Sequence, residues 1–385
     1  MKYSKKMIYN IMIHLSLYLF LFVGCTSVQQ KVIIVQPKTI KKVEPIIPKI
    51  EDKEPIEIIE EKETKEIIPV LEPEPVVISN ELAIIFPSAT IGKYALEAVN
   101  TINAYLLYKD TPFTLTVLDM ITQNKKNILN IFEKVKEKDI HKVIAMITKD
   151  NLSILNDIEN IENIEIYLPL INKNEIEDIE QLLNLNIVFG AIDYQAQFDK
   201  LIKYADSSSL VELYDNSAIG NTLHNYVKSN DIKYIKKVDD NNGRYKFFLK
   251  NNKKLNRSVI LLNTPIVKSS ILLSAITVED LNIDKIISTQ LNYTPLLFSL
   301  TQKQDRKKLI VANSIGKLPL DLEEYNQLIG NNILYSWVNY SAIVGIEYLL
   351  SGNIDFFTDL ILEKNQIIYP VKLYNVGDYS FELIK

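Results

Sequence analysis

The chain has 385 residues, of which 47% are hydrophobic, and a formal net charge of −5. This length and apolar content are enough to bury one or two sizeable cores, and the negative charge argues against nucleic acid as the main partner. Cys25 is the single cysteine, so no intramolecular disulfide can form. The three histidines, His14, His141 and His224, are far apart in sequence, which argues against a zinc site.

The first 24 residues have the pattern of a secretory signal peptide, with lysines at the start followed by an apolar run over residues 11–23. Gly24 directly before Cys25 resembles the lipobox of bacterial lipoproteins, which implies that Cys25 is acylated and becomes the mature N-terminus. Thr26 after the cysteine resembles lipoproteins sorted to the outer membrane of Gram-negative cells. The alternative is an uncleaved membrane anchor with an incidental cysteine, although the apolar run is short for a spanning helix.

Residues 25–79 have the composition of a disordered tether. Half of the fourteen prolines lie here among Glu, Lys and Ile, and the segment contains no glycine. Each proline removes a backbone donor, and no helical or strand period is present. At about 3.1 Å per residue, the part from Pro37 to Ser79 would reach roughly 130 Å. The isoleucines leave open a second interpretation, that part of this segment is a docking strand for a partner.

The folded domain is predicted to begin near residue 80 with a strand, a turn and a helix. Residues 82–86 are a continuous apolar run closed by Pro87, which is typical of a strand buried on both faces of a parallel sheet. From Gly92 onward the apolar residues follow a helical period. The turn at 88–92 lies at the carboxyl end of the strand, where open α/β sheets bind ligands.

Strands and helices then alternate to the end of the chain, which predicts two consecutive α/β sheets, each flanked by helices. Two sheets imply two lobes, with a binding cleft between them. The further strands are expected at 113–118, 142–147, 164–168, 187–190, 209–214, 232–238, 258–262, 284–288, 308–312, 367–374 and 379–384. The further helices are expected around 128–135, 152–161, 195–204, 217–227, 266–276 and 336–350.

Three segments carry a resemblance to a known family. They are residues 83–88 with Gly92, residues 213–220, and residues 337–345, in which Ser341 stands where aspartate is usual. In this order they resemble the type I periplasmic-binding fold of branched-chain amino acid receptors and of the C-terminal domain of penicillin-binding-protein activator lipoproteins. The resemblance implies a two-lobed domain over 80–385. Its first lobe would hold about 80–193 and 294–350, and its second about 194–293 and 351–385.

One departure from the family bears on function. Amino acid receptors of this fold have glycine, proline and a serine or threonine after the third strand, which grip the ligand carboxylate. Here residues 147–153 read Ile-Thr-Lys-Asp-Asn-Leu-Ser, with no glycine. Ser88, Thr90 and Tyr214 are the candidates for lining the cleft, although Ser88 and Thr90 are also explained as caps of the first helix.

The sequence contains no catalytic constellation and indicates no cofactor or metal. Ser314 and Lys317 match S-x-x-K by spacing, but the accompanying motifs of penicillin-recognising enzymes are absent. We therefore expect a non-enzymatic lipoprotein, anchored through Cys25 on the periplasmic side of the envelope, that binds a partner protein. By analogy with the activator family, the partner would belong to peptidoglycan synthesis. The alternative is a receptor for a small solute such as an amino acid.

Overall fold

The computed structural model describes residues 80–177, 182, 185–206, 209–227, 231–238 and 245–385. Residues 73–385 form a compact unit of their own. The signal peptide, Cys25 and the whole of the predicted tether lie outside the described residues. Within them the predicted two-lobed α/β architecture is confirmed, since the strands form two seven-stranded sheets with helices on their faces.

The first sheet has the strand order β11-β12-β5-β4-β3-β1-β2. Its strands are parallel except for the pair at the β11 edge. These seven strands define the first lobe. Their bounds are β1 Asn80–Phe86, β2 Phe113–Asp119, β3 Lys142–Ala145, β4 Glu165–Leu168, β5 Ile187–Phe189, β11 Ile361–Glu363 and β12 Gln366–Ile368.

The second sheet has the order β14-β13-β10-β9-β8-β6-β7 and defines the second lobe. Strand β13 is antiparallel to both of its neighbours, β10 and β14, and the other pairs are parallel. The bounds are β6 Leu210–Tyr214, β7 Ile232–Lys237, β8 Val259–Asn263, β9 Lys285–Ser288, β10 Leu309–Asn313, β13 Lys372–Val376 and β14 Phe381–Leu383.

The helices follow the strands as the sequence period predicts, with some short additions. The α-helices are α1 Ser88–Tyr108, α2 Lys125–Glu137, α3 Tyr194–Ala205, α4 Ala218–Val227, α5 Lys246–Leu249, α6 Ile266–Val278, α7 Leu296–Leu300, α8 Lys303–Arg306, α9 Leu320–Leu328 and α10 Trp337–Ser351. Residues 320–328 were not predicted to be helical, and Lys149–Asp157 forms a 3-10 helix where an α-helix was expected.

Burial on both faces of the sheets explains the apolar runs of the strands. In β1, Ile84 packs into a hydrophobic cluster on one side of the sheet, and Ile85 packs into a different cluster on the other side. The first cluster also contains Leu261 of β8 in the other lobe, so one core continues through both lobes. A third cluster lies on the opposite face of the second sheet.

The sheet membership corrects the expected lobe boundaries. The expectation that 294–350 belongs to the first lobe is wrong for β10, which pairs with β9 and β13 in the second sheet. The expectation that 351–385 belongs to the second lobe is wrong for β11 and β12, because β12 pairs with β5. The chain therefore passes between the lobes near residue 193, between 313 and 320, and between 368 and 372.

Candidate binding cleft between the lobes

The start of α1 is where the sequence places the first cleft residues. The helix begins at Ser88, and its N-cap is Pro87, which makes no side-chain capping hydrogen bond. The interpretation of Ser88 and Thr90 as caps is therefore wrong, and the expected turn at 88–92 is already helical, with an irregular residue at Ile91. Ser88 is half-buried and Thr90 is exposed.

The backbone amides at this helix start are already satisfied by the protein. Ser88 N donates to the Asp119 carboxylate at 3.0 Å, and Ala89 N donates to the Ile121 carbonyl at 2.9 Å. The amides of Thr90 and Ile91 both donate to the carbonyl of Pro87, at 3.0 and 3.1 Å. A free helix N-terminus attracts anions through such N–H groups. In this protein the carboxylate of Asp119 occupies the place of such an anion at the start of α1.

The segment after β3 shows the same arrangement. Thr148 N donates to the side-chain oxygen of Gln123 at 3.0 Å, and Asn151 N donates to the Thr148 carbonyl at 3.1 Å. This is the segment in which the family grips a ligand carboxylate. This segment lacks the family's glycine, and the backbone amide of Thr148 is already hydrogen-bonded to a side chain of the first lobe.

A direct contact joins the two lobes. Tyr226 of α4 in the second lobe donates a hydrogen bond to the carboxylate of Glu175, which lies between β4 and β5 in the first lobe. Tyr226 also lies against Tyr194 of α3, with ring centroids 6.4 Å apart, and Tyr194 makes an edge-on contact with Trp337 of α10. Because α10 packs on the first lobe, these aromatic rings form a second connection between the lobes.

Burial raises the pKa of both side chains in the contact between Glu175 and Tyr226. Desolvation raises the pKa of Glu175, and the hydrogen bond from Tyr226 and the charge of Lys149 only partly oppose that rise. Desolvation, followed by the neighbouring Glu175, holds the pKa of Tyr226 well above its usual range. Tyr226 therefore keeps its proton and acts as the donor.

Tyr214, the third predicted cleft residue, lies at the carboxyl end of β6. Its ring stacks on His224 with centroids 4.1 Å apart, and Lys237 Nζ lies 5.9 Å from its centre. His224 in turn contacts the fully buried Glu212 at 2.7 Å, and Glu212 also accepts a hydrogen bond from Asn263 at 2.8 Å. Among the described residues, the ring contacts of Tyr214 thus lie within the second lobe and do not bring it together with Ser88 or Thr90.

Another charged contact lies just after β6. Burial favours the neutral form of Asp215, but hydrogen bonds from Lys268 at 2.6 Å and from Ser217 outweigh it and lower the pKa of Asp215. Asp215 is therefore ionised and paired with a lysine of α6.

Ser341, which stands at the position of the family's aspartate, is buried in α10. Its hydroxyl donates to the Gly190 carbonyl at 2.7 Å and lies 3.2 Å from the Tyr167 hydroxyl. Gly190 and Gly345 both lie against Tyr167, so closely that a Cβ at either position would be less than 3 Å from Tyr167 atoms. This contact attaches α10 to the carboxyl ends of β4 and β5, which is a structural role.

Asp119, Gln123, Glu175 and Tyr226 were not identified from the sequence. Only the position of Asp119 directly after an apolar strand was a signal, since that is where ligand-contacting residues of such sheets lie. The serine of the S-x-x-K match, Ser314, is buried and accepts a hydrogen bond from Gln197 at 2.9 Å, whereas Lys317 is exposed. Across the described residues, no group of three or more His, Cys, Asp or Glu side chains is arranged to hold a metal ion.

None of the helices in the described part of the chain combines the length and the apolar character that a bilayer span requires. No protein-family model matches the sequence, and no curated protein matches it either. Solved structures with a similar fold do exist.

Similar structures include an amino acid ABC transporter substrate-binding protein from Pseudomonas fluorescens. It is 12% identical, with a TM-score of 0.55 over 79% of this chain and 94% of that one. The leucine-binding protein LivK from Thermotoga maritima is 12% identical, with a TM-score of 0.53 over 79% of this chain and 97% of that one. The fold is therefore the type I periplasmic-binding fold.

The same fold is found in a regulatory protein. The C-domain of LpoA from Haemophilus influenzae, described as a regulator of PBP1A, is 10% identical, with a TM-score of 0.51 over 79% of this chain and all of that domain. Against full-length LpoA from Haemophilus influenzae, this chain covers 59% of that protein's length. At sequence identities of 10% to 12%, these similarities show a common fold and do not show a common activity. These similar structures belong to binding and regulatory proteins.

Proposed function

We propose that this chain is a membrane-anchored envelope lipoprotein that binds a partner protein, as an activator or scaffold of peptidoglycan synthesis. The observation that carries the proposal is the hydrogen bonding of the first-lobe amides. Ser88 N lies at the carboxyl end of β1, where open α/β sheets bind ligands, and Thr148 N lies in the segment that grips a ligand carboxylate in amino acid receptors. These two amides are already bound by Asp119 and Gln123. A solute carboxylate would have to displace both side chains.

The contact between Glu175 and Tyr226 supports the same conclusion. It connects the lobes through two of the protein's own side chains, so a solute is not needed to bring them together. The presence of this fold in a regulator of PBP1A makes a peptidoglycan synthase a suitable partner class. The anchor through Cys25 and the periplasmic location are parts of this proposal, and they rest on the sequence pattern.

The test measures ligand binding and partner binding on residues 73–385. A receptor saturated with ligand at a hundred times its Kd gains about 2.7 kcal/mol of stability, which a thermal-shift assay detects easily. We expect no stabilisation by the common amino acids. We also expect the fragment to change the polymerisation rate of a penicillin-binding protein from the same cell.

Two variants separate this proposal from the alternative. Ser88→Ala and Tyr214→Phe should leave the effect on the synthase unchanged, because neither side chain is used if the cleft is idle. Removing one hydrogen-bond partner of a true ligand costs roughly 1 to 3 kcal/mol. An amino acid that binds with micromolar affinity and is lost in Ser88→Ala would establish the receptor function instead.

A further inference from the structure

One outer surface of the second lobe is strongly basic. It begins at β7, the edge strand of the second sheet, which pairs only with β6 among the described strands. Along β7 the exposed positions alternate with half-buried ones, and Lys233, Ile235 and Lys237 are exposed. The edge strand therefore presents lysines to solvent, a usual protection against strand pairing.

Successive side chains of a strand point to opposite faces of the sheet, and the segment that follows β7 in the described chain adds positive charge on the face that Tyr234 and Lys236 share. Lys236 Nζ of β7 lies 5.6 Å from the ring centre of Phe248 in α5, and Lys254 Nζ lies 4.9 Å from the ring centre of Tyr234 in β7. These two contacts show that β7, α5 and the short 3-10 helix at Lys253–Leu255 are neighbours. We name this surface the basic face; its charged members are Lys236, Lys246, Lys250, Lys253, Lys254 and Arg257.

Acidic residues compensate little of this charge. Residues 245–257 contain no acidic residue, so with Lys236 the basic face has six positive charges. Asp239 and Asp240, in the sequence between β7 and α5, lie outside the described residues. Glu279, directly after α6, lies 3.8 Å from Lys246 and neutralises part of one lysine. The basic face thus carries a net charge opposite in sign to that of the whole chain, which is −5.

One large apolar side chain projects among these lysines. Phe247 is 82% exposed on α5, between Lys246 and Lys250. Basic residues interspersed with an exposed aromatic residue are typical of surfaces that lie on a membrane, where the ring enters the boundary between headgroups and acyl chains.

The choice of lysine over arginine indicates which anionic partner fits. Protein interfaces are enriched in arginine and depleted in lysine, and arginine is preferred where a single phosphate or carboxylate is held in a fixed geometry. The basic face has five lysines and one arginine. Such a set of hydrated point charges suits a diffuse layer of negative charge better than a fixed protein epitope.

We propose that the basic face docks on the surface of an anionic phospholipid bilayer, with Phe247 inserted at the level of the headgroups. The attraction uses the charges of described residues only. It requires neither acylation of Cys25 nor the proposed partner, so it goes beyond the proposed function and can fail separately from it. Its consequence is that the second lobe would be held against a membrane, which limits how the first lobe can be presented to a partner.

The test is sedimentation of residues 73–385, a compact unit of their own, with two kinds of vesicle. We expect binding to vesicles of phosphatidylglycerol and phosphatidylethanolamine and none to phosphatidylcholine. Each lysine near such a surface contributes about 1 kcal/mol, so the triple variant Lys250→Gln, Lys253→Gln, Lys254→Gln should bind roughly 100-fold more weakly. Raising the salt to about 1 M shortens the screening length to about 3 Å and should abolish binding.

Matched controls remove the same charge or the same kind of side chain elsewhere. Lys126→Gln, Lys134→Gln, Lys138→Gln changes three exposed lysines in and just after α2 of the first lobe and should bind vesicles like the unaltered protein. Phe247→Ser should weaken binding, whereas Tyr379→Ser, which changes an aromatic residue 92% exposed next to the opposite edge strand β14, should not.

Three results would overturn the proposal. The first is equal binding to both kinds of vesicle, and the second is an equal loss of binding in the two triple lysine variants. The third is failure to bind anionic vesicles together with binding to soluble polyglutamate that Lys250→Gln, Lys253→Gln, Lys254→Gln abolishes; that result would assign the basic face to an acidic macromolecule. The amino acid and synthase measurements above are unaffected by any of these outcomes.

Discussion

Tight contacts at single residues determine how the first lobe is assembled. Tyr167 is fully buried, and its ring lies between Gly190 at the end of β5 and Gly345 in α10. Its hydroxyl lies within hydrogen-bond distance of Ser341 at 3.2 Å and Tyr369 at 3.3 Å. Glycine at 345 is required here by the close approach of a ring to a helix, with no special backbone angle involved.

Two glycine substitutions should have opposite effects on stability. In Gly345→Ala the new Cβ would lie 2.3 Å from the Tyr167 ring, and overpacking of this kind should lower the free energy of unfolding by about 1 to 3 kcal/mol. In Gly92→Ala the atom nearest to the new Cβ is the Ser88 Cβ at 3.6 Å. Alanine at this helical position should therefore raise the free energy of unfolding by roughly 0.5 to 1 kcal/mol. Urea denaturation of both variants measures the difference, and equal midpoints would contradict this account of Gly345.

Cys25 allows a chemical test of the anchor. If Cys25 is acylated, Cys25→Ala should abolish labelling of the protein by a fatty acid, because no other cysteine exists. The protein should then also leave the membrane fraction after signal cleavage. Labelling that persists in Cys25→Ala would refute the anchor, and Ser27→Ala, two residues away, is the control that should still be labelled.

At the scale of elements, α10 joins parts of the chain that are distant in sequence. Ser336 caps its start by accepting a hydrogen bond from Asn339 N, and Gly352, with φ of 72°, ends it in the left-handed conformation. Ten of its fifteen residues are buried, and it packs against α1 and the strands β3 and β4. Its mostly apolar sequence predicted a helix at 336–350, in agreement with the observed bounds.

The 3-10 helix at Lys149–Asp157 shows where local polar groups override a helical pattern. Asn151, Asn156 and Asp157 have short polar side chains that compete with helical backbone hydrogen bonds. Asn151 Nδ2 lies 3.3 Å from the Thr148 hydroxyl. Leu152 and Leu155 are buried, so the apolar residues that suggested an α-helix do face the core, but in a tighter helix.

The predicted tether is the element most open to a direct test. Low core-forming potential and frequent proline predict cleavage by added protease between about residues 30 and 79, since exposed segments without a core are cut first. A stable fragment that starts near Val77 should remain, because the first described strand begins at Asn80. N-terminal sequencing of the fragment identifies the boundary; a tether that resists cleavage, or a fragment that unfolds, would contradict it.

At the scale of the whole molecule, buried tyrosines give both lobes a common sensitivity to alkali. Burial raises the pKa of Tyr167, Tyr340 and Tyr194 well above the usual range, and raises the pKa of Tyr348 to about 12. A raised pKa means that the folded state holds its proton more tightly than the unfolded chain. The stabilisation is therefore complete below about pH 10 and is lost as the pH rises further.

We expect unfolding by alkali to occur above about pH 10 and to be cooperative, because one hydrophobic cluster continues through both lobes. Part of the tyrosinate absorbance should appear only together with the loss of helical circular dichroism. Full ionisation of the tyrosines while the helical signal remains would show that these side chains are accessible in the folded state.

The sequence by itself indicated where most of the strands and the longer helices lie and that the strands form two largely parallel sheets. Strands such as β1 and β8 are short apolar runs because both faces of a parallel sheet are covered, and that signal is local. The order of three weak motifs also indicated the type I periplasmic-binding fold. These inferences needed only the neighbours of each residue along the chain.

Only the tertiary structure decided which sheet β10, β11 and β12 join and which side chains bind the amides at the cleft. Asp119 and Ser88 are 31 residues apart, Gln123 and Thr148 are 25 apart, and Glu175 and Tyr226 are 51 apart. An apolar run shows that a strand is buried but not which strand lies beside it. A single polar residue forms no repeating pattern in the sequence, so its distant hydrogen-bond partner can be identified only from the tertiary structure.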